Sequence, residues 1–373
     1  MNPKGYFVLH LLLLVSFIIS SLPSISGLNY RHNPISHYHY YHHYHHHDHP
    51  YFLTDQFDDY SHGIIYGTLE ASDKESDYEK DRKHWLGFVN IQNLRVEGGG
   101  IINGNGRKWW QRSCKINTNL PCQDAPTAVT FSECKNLIVS NIWFQDSQKM
   151  HVTFQNCFNV KALDLVVTAP GNSPNTDGIH VTGTQNVFIQ NCLIKTGDDC
   201  ISIVSGSKNV RATGITCGPG HGISIGSLGA DNSEAYVSNI VVSNSKLSGT
   251  ANGVRIKTWQ GGSGSANNIM FQNIEMKNVT NPIIIDQYYC DQDNPCPEKH
   301  SAVQVSNVIY KNIKGTSATN VAIDFDCSKT VPCQDITLQD VSIASNQQYI
   351  TKASCSNVDL NTRGDVHPYC NKQ

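Results

Sequence analysis

An asparagine followed by an aliphatic residue recurs through most of the chain, and this repeat constrains the fold more than any other feature. Most intervals between repeats are 23 to 30 residues long, and the first, of 43 residues, has room for two units. Short alternating apolar segments fill each unit, separated by asparagine or glycine, which tolerate the left-handed backbone of tight turns. The repeats begin at Asn93, Asn136, Asn159, Asn186, Asn209, Asn239, Asn268 and Asn307.

β-Type units repeated at this period predict an all-β solenoid, a single-stranded parallel β-helix. Its coils stack about 4.8 Å apart, and inward Val, Ile and Phe side chains fill one continuous core. An antiparallel β-sandwich of many short strands is the alternative, but it does not account for the asparagine period. The net charge is −3, from 28 basic and 31 acidic residues, so no basic field indicates a nucleic-acid partner.

The N-terminal segment 1–27 has the form of a secretory signal peptide. A basic start at Lys4 precedes an apolar run, and the small residues Ser24 and Ser26 follow it. A membrane anchor is the alternative, but the apolar run is short for a span. No other stretch is apolar enough to cross a bilayer, so we expect no membrane association after cleavage. The sequence therefore predicts a secreted, extracellular protein.

Residues 28–60 form a leader rich in histidine and tyrosine, with nine of the 17 histidines between His32 and His49. We expect a disordered leader. Metal binding is the functional alternative, but the spacing matches no three- or four-ligand site. The catalytic β-helix domain is predicted to occupy residues 61–373.

Thirteen cysteines lie between Cys114 and Cys370. In a secreted protein they indicate disulfides rather than a metal cluster, and the odd count leaves at least one cysteine unpaired within the chain. A glycosylation sequon at Asn278 fits the same compartment. The preferred disulfide pairs are close neighbours in sequence: Cys327/Cys333, Cys355/Cys370 and Cys200/Cys217.

Four short motifs place charged side chains at intervals of about one coil. They read SPNTDGIH, KTGDDCISI, CGPGHGISIGS and NGVRIKTWQGG. Residues one repeat apart become neighbours when coils stack, so we expect these side chains to line one groove. Taken singly, each is more typical of a turn acid, a loop histidine or a surface strand. The charged residues are Asp177, Asp198, Asp199, His221, Arg255 and Lys257.

Carboxylates this close together raise the pKa of at least one of them, as a general acid requires. Carboxylate pairs that flank a glycosidic bond are typical of its hydrolysis. The cations Arg255 and Lys257 lie two residues apart on one strand face and indicate an anionic sugar.

The four motifs resemble the signature blocks of the polygalacturonases, the pectin-degrading family 28 of glycoside hydrolases, and are most similar to plant endo-acting members. The similarity extends from about Tyr66 to the C-terminus. The resemblance implies a right-handed parallel β-helix that hydrolyses α-1,4 links between galacturonic acids with inversion. It also implies a cell-wall location and a pectin or polygalacturonate partner.

The resemblance further implies a role for each charged residue. Asp198 corresponds to the general acid that protonates the leaving oxygen. Asp177 and Asp199 correspond to the pair that holds and deprotonates the attacking water. In an inverting site the acid and base lie roughly 6.5–9.5 Å apart. His221 corresponds to the active-site histidine, which tunes the acid or shares its proton.

Substrate contacts are implied in the same way. Arg255 and Lys257 correspond to groups that bind the substrate carboxylate, and Asn175 and Tyr289 match weaker contacts. Hydrolysis by paired carboxylates needs neither a metal nor an organic cofactor, and we expect a monomer.

One departure from the family pattern concerns the N-terminal side of the domain. Family members usually carry a segment of the type GAxGDGxxDDTxAFxxAW, which forms a cap and the first coils, and this sequence has no such segment. We therefore expect a shortened cap, with an exposed solenoid end. The alternatives are an exo-polygalacturonase, a rhamnogalacturonan hydrolase, a pectate lyase, or an inactive β-helix that only binds pectin.

Overall fold

The structure is a computed structural model that describes residues 51–52, 61–291, 296–346 and 350–370. The predicted signal peptide (1–27) and most of the predicted leader (28–60) lie outside these residues. Inside the leader, Tyr51–Phe52 forms a short strand that pairs in parallel with the strand His84–Val89. No helix among the described residues is long and apolar enough to span a membrane.

Two long sheets contain the strands of the described residues. Sheet I has eleven strands: β1 (Tyr51–Phe52), β4 (His84–Val89), β7 (Thr127–Ser132), β10 (Val152–Gln155), β13 (Ile179–Thr182), β16 (Ile201–Ile203), β19 (Ile223–Leu228), β21 (Asn252–Thr258), β23 (Asn281–Asp286), β25 (Val321–Asp326) and β27 (Lys352–Ser356).

Sheet II has seventeen strands: β2 (Ser61–Ile64), β3 (Thr68–Glu70), β5 (Gln92–Glu97), β6 (Ile101–Asn103), β8 (Lys135–Ser140), β9 (Trp143–Gln145), β11 (Phe158–Leu163), β12 (Val166–Thr168), β14 (Gln185–Gln190), β15 (Leu193–Lys195), β17 (Lys208–Thr213), β18 (Thr216–Cys217), β20 (Glu234–Ser248), β22 (Ser263–Val279), β24 (Gln304–Ser317), β26 (Cys333–Ser345) and β28 (Val358–His367). The helices are short: α1 (Arg107–Gln111) and two 3-10 turns, Glu75–Tyr78 and Ala230–Asn232.

Each coil contributes one strand to sheet I and then one or two strands to sheet II. All named strand pairs within the described residues are parallel and join a strand to its equivalent in the next coil. Ile179 lies opposite Ile201, and Ile201 opposite Ile223, with all three side chains fully buried. Stacked apolar columns of this kind form the continuous core. The predicted right-handed parallel β-helix is confirmed, and the antiparallel sandwich is excluded.

The repeated asparagines form a ladder along the strands of sheet II. Each adopts a left-handed backbone with φ between 51° and 60°. Asn186 donates a side-chain hydrogen bond to Asn159 at 3.1 Å and accepts one from Asn209 at 2.9 Å. The same bond joins Asn136 to Asn93 at 2.9 Å, across the 43-residue interval. This interval is therefore one coil with an insertion that contains α1, and the suggestion that it holds two units is wrong.

Ten cysteines of the described chain form five disulfides. The three predicted pairs are confirmed: Cys200–Cys217, Cys327–Cys333 and Cys355–Cys370. Two further pairs lie in loops: Cys114–Cys122 and Cys290–Cys296. The unpaired cysteines, predicted from the odd count, are the buried Cys134, Cys157 and Cys192.

The asparagine ladder predicts different outcomes for two substitutions at Asn186. Asn186→Ala removes the side-chain amide and forces a Cβ-bearing residue to keep the left-handed backbone, which costs about 1–2 kcal/mol. Asn186→Gly removes the same amide but adopts this backbone freely. We expect urea unfolding to give a lower free energy of unfolding for the alanine variant than for the glycine variant. Equal free energies of unfolding would mean that the left-handed backbone at this position does not favour glycine over alanine.

Candidate active site

The charged residues of the four motifs meet on sheet I because the strands are in register. Asp177, Asp199 and His221 each lie two residues before a paired isoleucine, so they occupy one equivalent position on three successive coils. Neighbouring coils are about 4.8 Å apart, so the side chains lie side by side. The expected stacking of these motifs on successive coils is confirmed, and the groove stays a prediction.

Asp198 is paired with His221. The Asp198 Oδ1 atom lies 2.8 Å from His221 Nδ1 and accepts a hydrogen bond from the backbone N–H of Asp199 at 2.8 Å. Burial favours a higher pKa for Asp198, but the His221 hydrogen bond and charge outweigh it and hold that pKa below its usual value. The hydrogen bond to Asp198 raises the pKa of His221. These are the more exposed members of the site, since 44% of the His221 side chain is accessible.

Asp199 is buried and surrounded by cationic and hydroxyl donors. Its Oδ1 atom accepts hydrogen bonds from Arg255 at 2.9 Å and from Ser224 Oγ at 2.8 Å. Lys257 Nζ lies 3.0 Å from Oδ2. Because only 2% of the Asp199 side chain is accessible, this carboxylate depends on the two cations to balance its charge.

Asp177 has no cationic partner within hydrogen-bonding distance among the described residues. Its Oδ2 atom accepts a hydrogen bond from Ser202 Oγ at 2.6 Å. Burial, followed by the charges of Asp198 and Asp199, raises the pKa of Asp177 to about 8. The predicted elevation of one carboxyl pKa therefore occurs, and it occurs at Asp177.

The weaker candidates also lie at this site. Asn175 Nδ2 is 3.4 Å from Asp198 Oδ2. Lys257 Nζ lies 5.2 Å from the centre of the Tyr289 ring, which packs edge-on against Trp259. Burial raises the pKa of Tyr289 to about 12, so its hydroxyl stays protonated under physiological conditions.

The four motifs did not predict several polar contacts of the site, chiefly those of Ser202 and Ser224. They lie in register on β16 and β19 and each donates to one of the carboxylates. The tripeptide Ile-Ser-Ile occurs in both strands. Because side chains alternate along a strand, the serine of Ile-Ser-Ile points away from the core when both isoleucines point into it. The repeated tripeptide could therefore have indicated these two serines from the sequence.

Three of these groups are close enough to share a cation. One ligand atom each from Asp198, Asp199 and His221 lies within 4.8 Å of the others. Arg255 and Lys257 already contact the carboxylate of Asp199 and would repel a metal ion there. The donor set therefore does not fit a resident metal, and the absence of a metal stays a prediction.

Comparison with known proteins gives concordant matches. The family model described as glycosyl hydrolases family 28 matches residues 56–365. A protein from Arabidopsis thaliana named a polygalacturonase is 67% identical over 307 residues, which are 82% of this chain and 70% of that protein. Polygalacturonase-2 from Solanum lycopersicum is 58% identical over 306 residues, 82% of this chain and 67% of that one.

Among solved structures, a polygalacturonase from Erwinia carotovora superposes with a TM-score of 0.68 at 25% sequence identity. The superposition covers 79% of this chain and 81% of that protein. The family resemblance of the four motifs is therefore confirmed over residues 56–365. The chain belongs to family 28 of the glycosyl hydrolases.

Proposed function

We propose that the chain is a secreted polygalacturonase that hydrolyses α-1,4 links in polygalacturonate with inversion of configuration. One observation carries this proposal: sheet I brings three carboxylates, an imidazole and two cations onto one face. The names of the relatives in Arabidopsis thaliana and Solanum lycopersicum support the same substrate. The five disulfides are typical of an extracellular compartment such as the cell wall.

Asp198 and His221 act together as the general acid. When the glycosidic C–O bond breaks, the leaving oxygen takes a proton from Asp198. His221 has a raised pKa and contacts Asp198 at 2.8 Å, so it retains a proton that the carboxyl can draw on. Both side chains are partly accessible to solvent, as contact with a polymer requires.

Asp177 and Asp199 act on the face of the anomeric carbon opposite the leaving oxygen. They hold a water molecule whose oxygen attacks the anomeric carbon, and the carboxylate pair accepts its proton. The pair keeps a fixed orientation because both carboxylates are hydrogen-bonded to neighbouring coils.

The distribution of protons in the free protein differs from the one that the reaction needs. Asp177 has the raised pKa, whereas the acid of the reaction is Asp198. We assign the transferred proton to the Asp198–His221 pair because that pair is more exposed than the buried Asp177, and Asp177 must ionise before it accepts a proton from water.

Arg255 and Lys257 retain donors for a substrate carboxylate. Arg255 uses Nε for Ser224 and one Nη2 contact for Asp199, which leaves other N–H groups of its five free to donate. Lys257 has three N–H donors and gives one to Asp199. A uronic acid at the cleavage point fits these cations, and this disfavours a rhamnogalacturonan substrate.

Sheet I continues on both sides of the catalytic coils, and this supports an endo mode of action. Strands β4, β7 and β10 precede the coil of Asp177, and β23, β25 and β27 follow that of Lys257. A polymer can therefore contact several coils on either side of the bond that is cleaved. We further propose that the enzyme is a monomer whose β-helix domain is residues 61–373.

Reducing-end release from polygalacturonate by the purified secreted chain tests the function. Early loss of viscosity relative to reducing-end release indicates endo action, and a slow loss indicates exo action. Products that absorb in the ultraviolet would instead identify a lyase. Binding to polygalacturonate without new reducing ends would contradict the enzyme and identify a pectin-binding β-helix.

Asp198→Asn tests the general acid. We expect its kcat on polygalacturonate to fall on the order of a thousandfold, because neither proton transfer nor the acid's charge remains. Asp359→Asn, which removes an exposed carboxylate from β28 on sheet II, is the control and should retain wild-type activity. Near-normal turnover by a folded Asp198→Asn variant would contradict the assignment.

The pH dependence tests the role of His221. Its pKa is raised, so the Asp198–His221 pair keeps its proton until the pH rises through that raised value, and activity is lost above it. In His221→Gln only the carboxyl can store the proton, so the alkaline limb of the kcat/KM profile should move to lower pH. An alkaline limb at the wild-type pH would show that His221 does not supply it.

A further inference from the structure

Ser202 links Asp177 to the next coil. It lies on β16, its side chain is buried, and its Oγ atom is 2.6 Å from Asp177 Oδ2. An ionised carboxylate can only accept a hydrogen bond, so the hydroxyl proton of Ser202 points at Asp177 whenever Asp177 is ionised.

His180 supplies the next donor. It lies on β13 directly opposite Ser202, and its Nδ1 atom is 2.8 Å from Ser202 Oγ. Burial lowers the pKa of His180 to about 4, so the imidazole is neutral in weakly acidic and neutral solution. When Asp177 is ionised and takes the Ser202 proton, Ser202 Oγ must accept from Nδ1–H, which fixes the tautomer of His180 in that state.

The same arrangement occurs at the second carboxylate. Ser224 Oγ donates to Asp199 at 2.8 Å and accepts from Arg255 Nε at 3.0 Å. His180, Ser202, Ser224 and Arg255 lie opposite one another on four successive strands. Each carboxylate thus receives a serine hydroxyl, and each serine receives a nitrogen donor. The donors differ in charge, because Arg255 is a cation and His180 is neutral.

We propose that Ser202 and His180 are positioning residues that orient the Asp177 carboxylate and stabilise its ionised form. The inference rests on the proposed function for its kinetic consequences, but the hydrogen-bonded chain His180–Ser202–Asp177 is a property of the folded protein. The charges of Asp198 and Asp199 disfavour ionisation of Asp177, and the hydrogen bond from Ser202 opposes them. Lys257 favours ionisation as well, but more weakly.

Two matched pairs of variants separate this role from packing. Ser202→Ala and His180→Phe remove a donor while the site stays filled or nearly so. Ser202→Thr and His180→Asn keep a hydroxyl and an amide N–H near the original positions. Ser243→Ala is the control, since this serine donates a hydrogen bond to Thr213 on sheet II. Each variant is measured for kcat and KM on polygalacturonate and for the unfolding midpoint.

We expect Ser202→Ala to lower kcat about tenfold, the typical effect of removing a hydrogen bond to a charged group. KM should change less than about twofold, because neither residue is a substrate contact in the proposed site. His180→Phe should act in the same direction, Ser202→Thr and His180→Asn should recover most of the loss, and Ser243→Ala should match wild type.

A direct titration provides the second readout. Infrared difference spectra across pH follow the protonated carboxyl band, and Asp177→Asn identifies the contribution of Asp177. The Ser202 hydroxyl lowers the pKa of Asp177, so Ser202→Ala and His180→Phe should move this titration to higher pH. An unchanged Asp177 titration, or an equal loss of kcat in the rescue variants, would overturn the proposal. If the wild-type chain releases no reducing ends, the proposed function fails, while the titration still tests the hydrogen-bonded chain.

Discussion

In-register pairing of parallel strands is the constraint on which the rest of this structure depends. It places every residue of sheet I beside its equivalent one coil away, at a spacing of about 4.8 Å. For Ile179, Ile201 and Ile223 this produces a buried column. Two residues earlier in each coil, the same spacing forces Asp177 and Asp199 together, although like charges repel. One backbone rule therefore creates both the core and the electrostatic strain of the site.

Each carboxylate relieves that strain in a different way. Asp199 is buried against Arg255 and Lys257, whereas Asp198 is more exposed and pairs with His221. Asp177 has no cation within hydrogen-bonding distance among the described residues, and burial, followed by the charges of Asp198 and Asp199, raises its pKa to about 8. Asp177 and Asp198 thus acquire different proton affinities from their surroundings, and the raised pKa belongs to the proposed base rather than to the proposed acid.

The sequence predicted the stacking well because a repeat period carries the coil length directly. It could not tell an insertion from an extra coil, since both lengthen an interval; the Asn93–Asn136 hydrogen bond decides that question. The motif spacing predicted that Arg255 and Lys257 lie at the site. It could not predict that both bind Asp199, because side-chain pairing depends on burial and side-chain conformation. Ser202 and Ser224 were overlooked because a serine on a strand carries no charge signal.

The adjacent acids Asp198 and Asp199 serve different partners because the turn that carries them is held at two points. Cys200, the next residue, is joined to Cys217, four residues before His221. The disulfide therefore closes a short loop between the two halves of the Asp198–His221 pair and reduces the freedom of both in the unfolded chain. On the other side, the salt bridges of Asp199 hold its carboxylate against sheet I. A regular strand would point the two acids to opposite faces and bury one in the core; the fixed turn instead lets both reach one site.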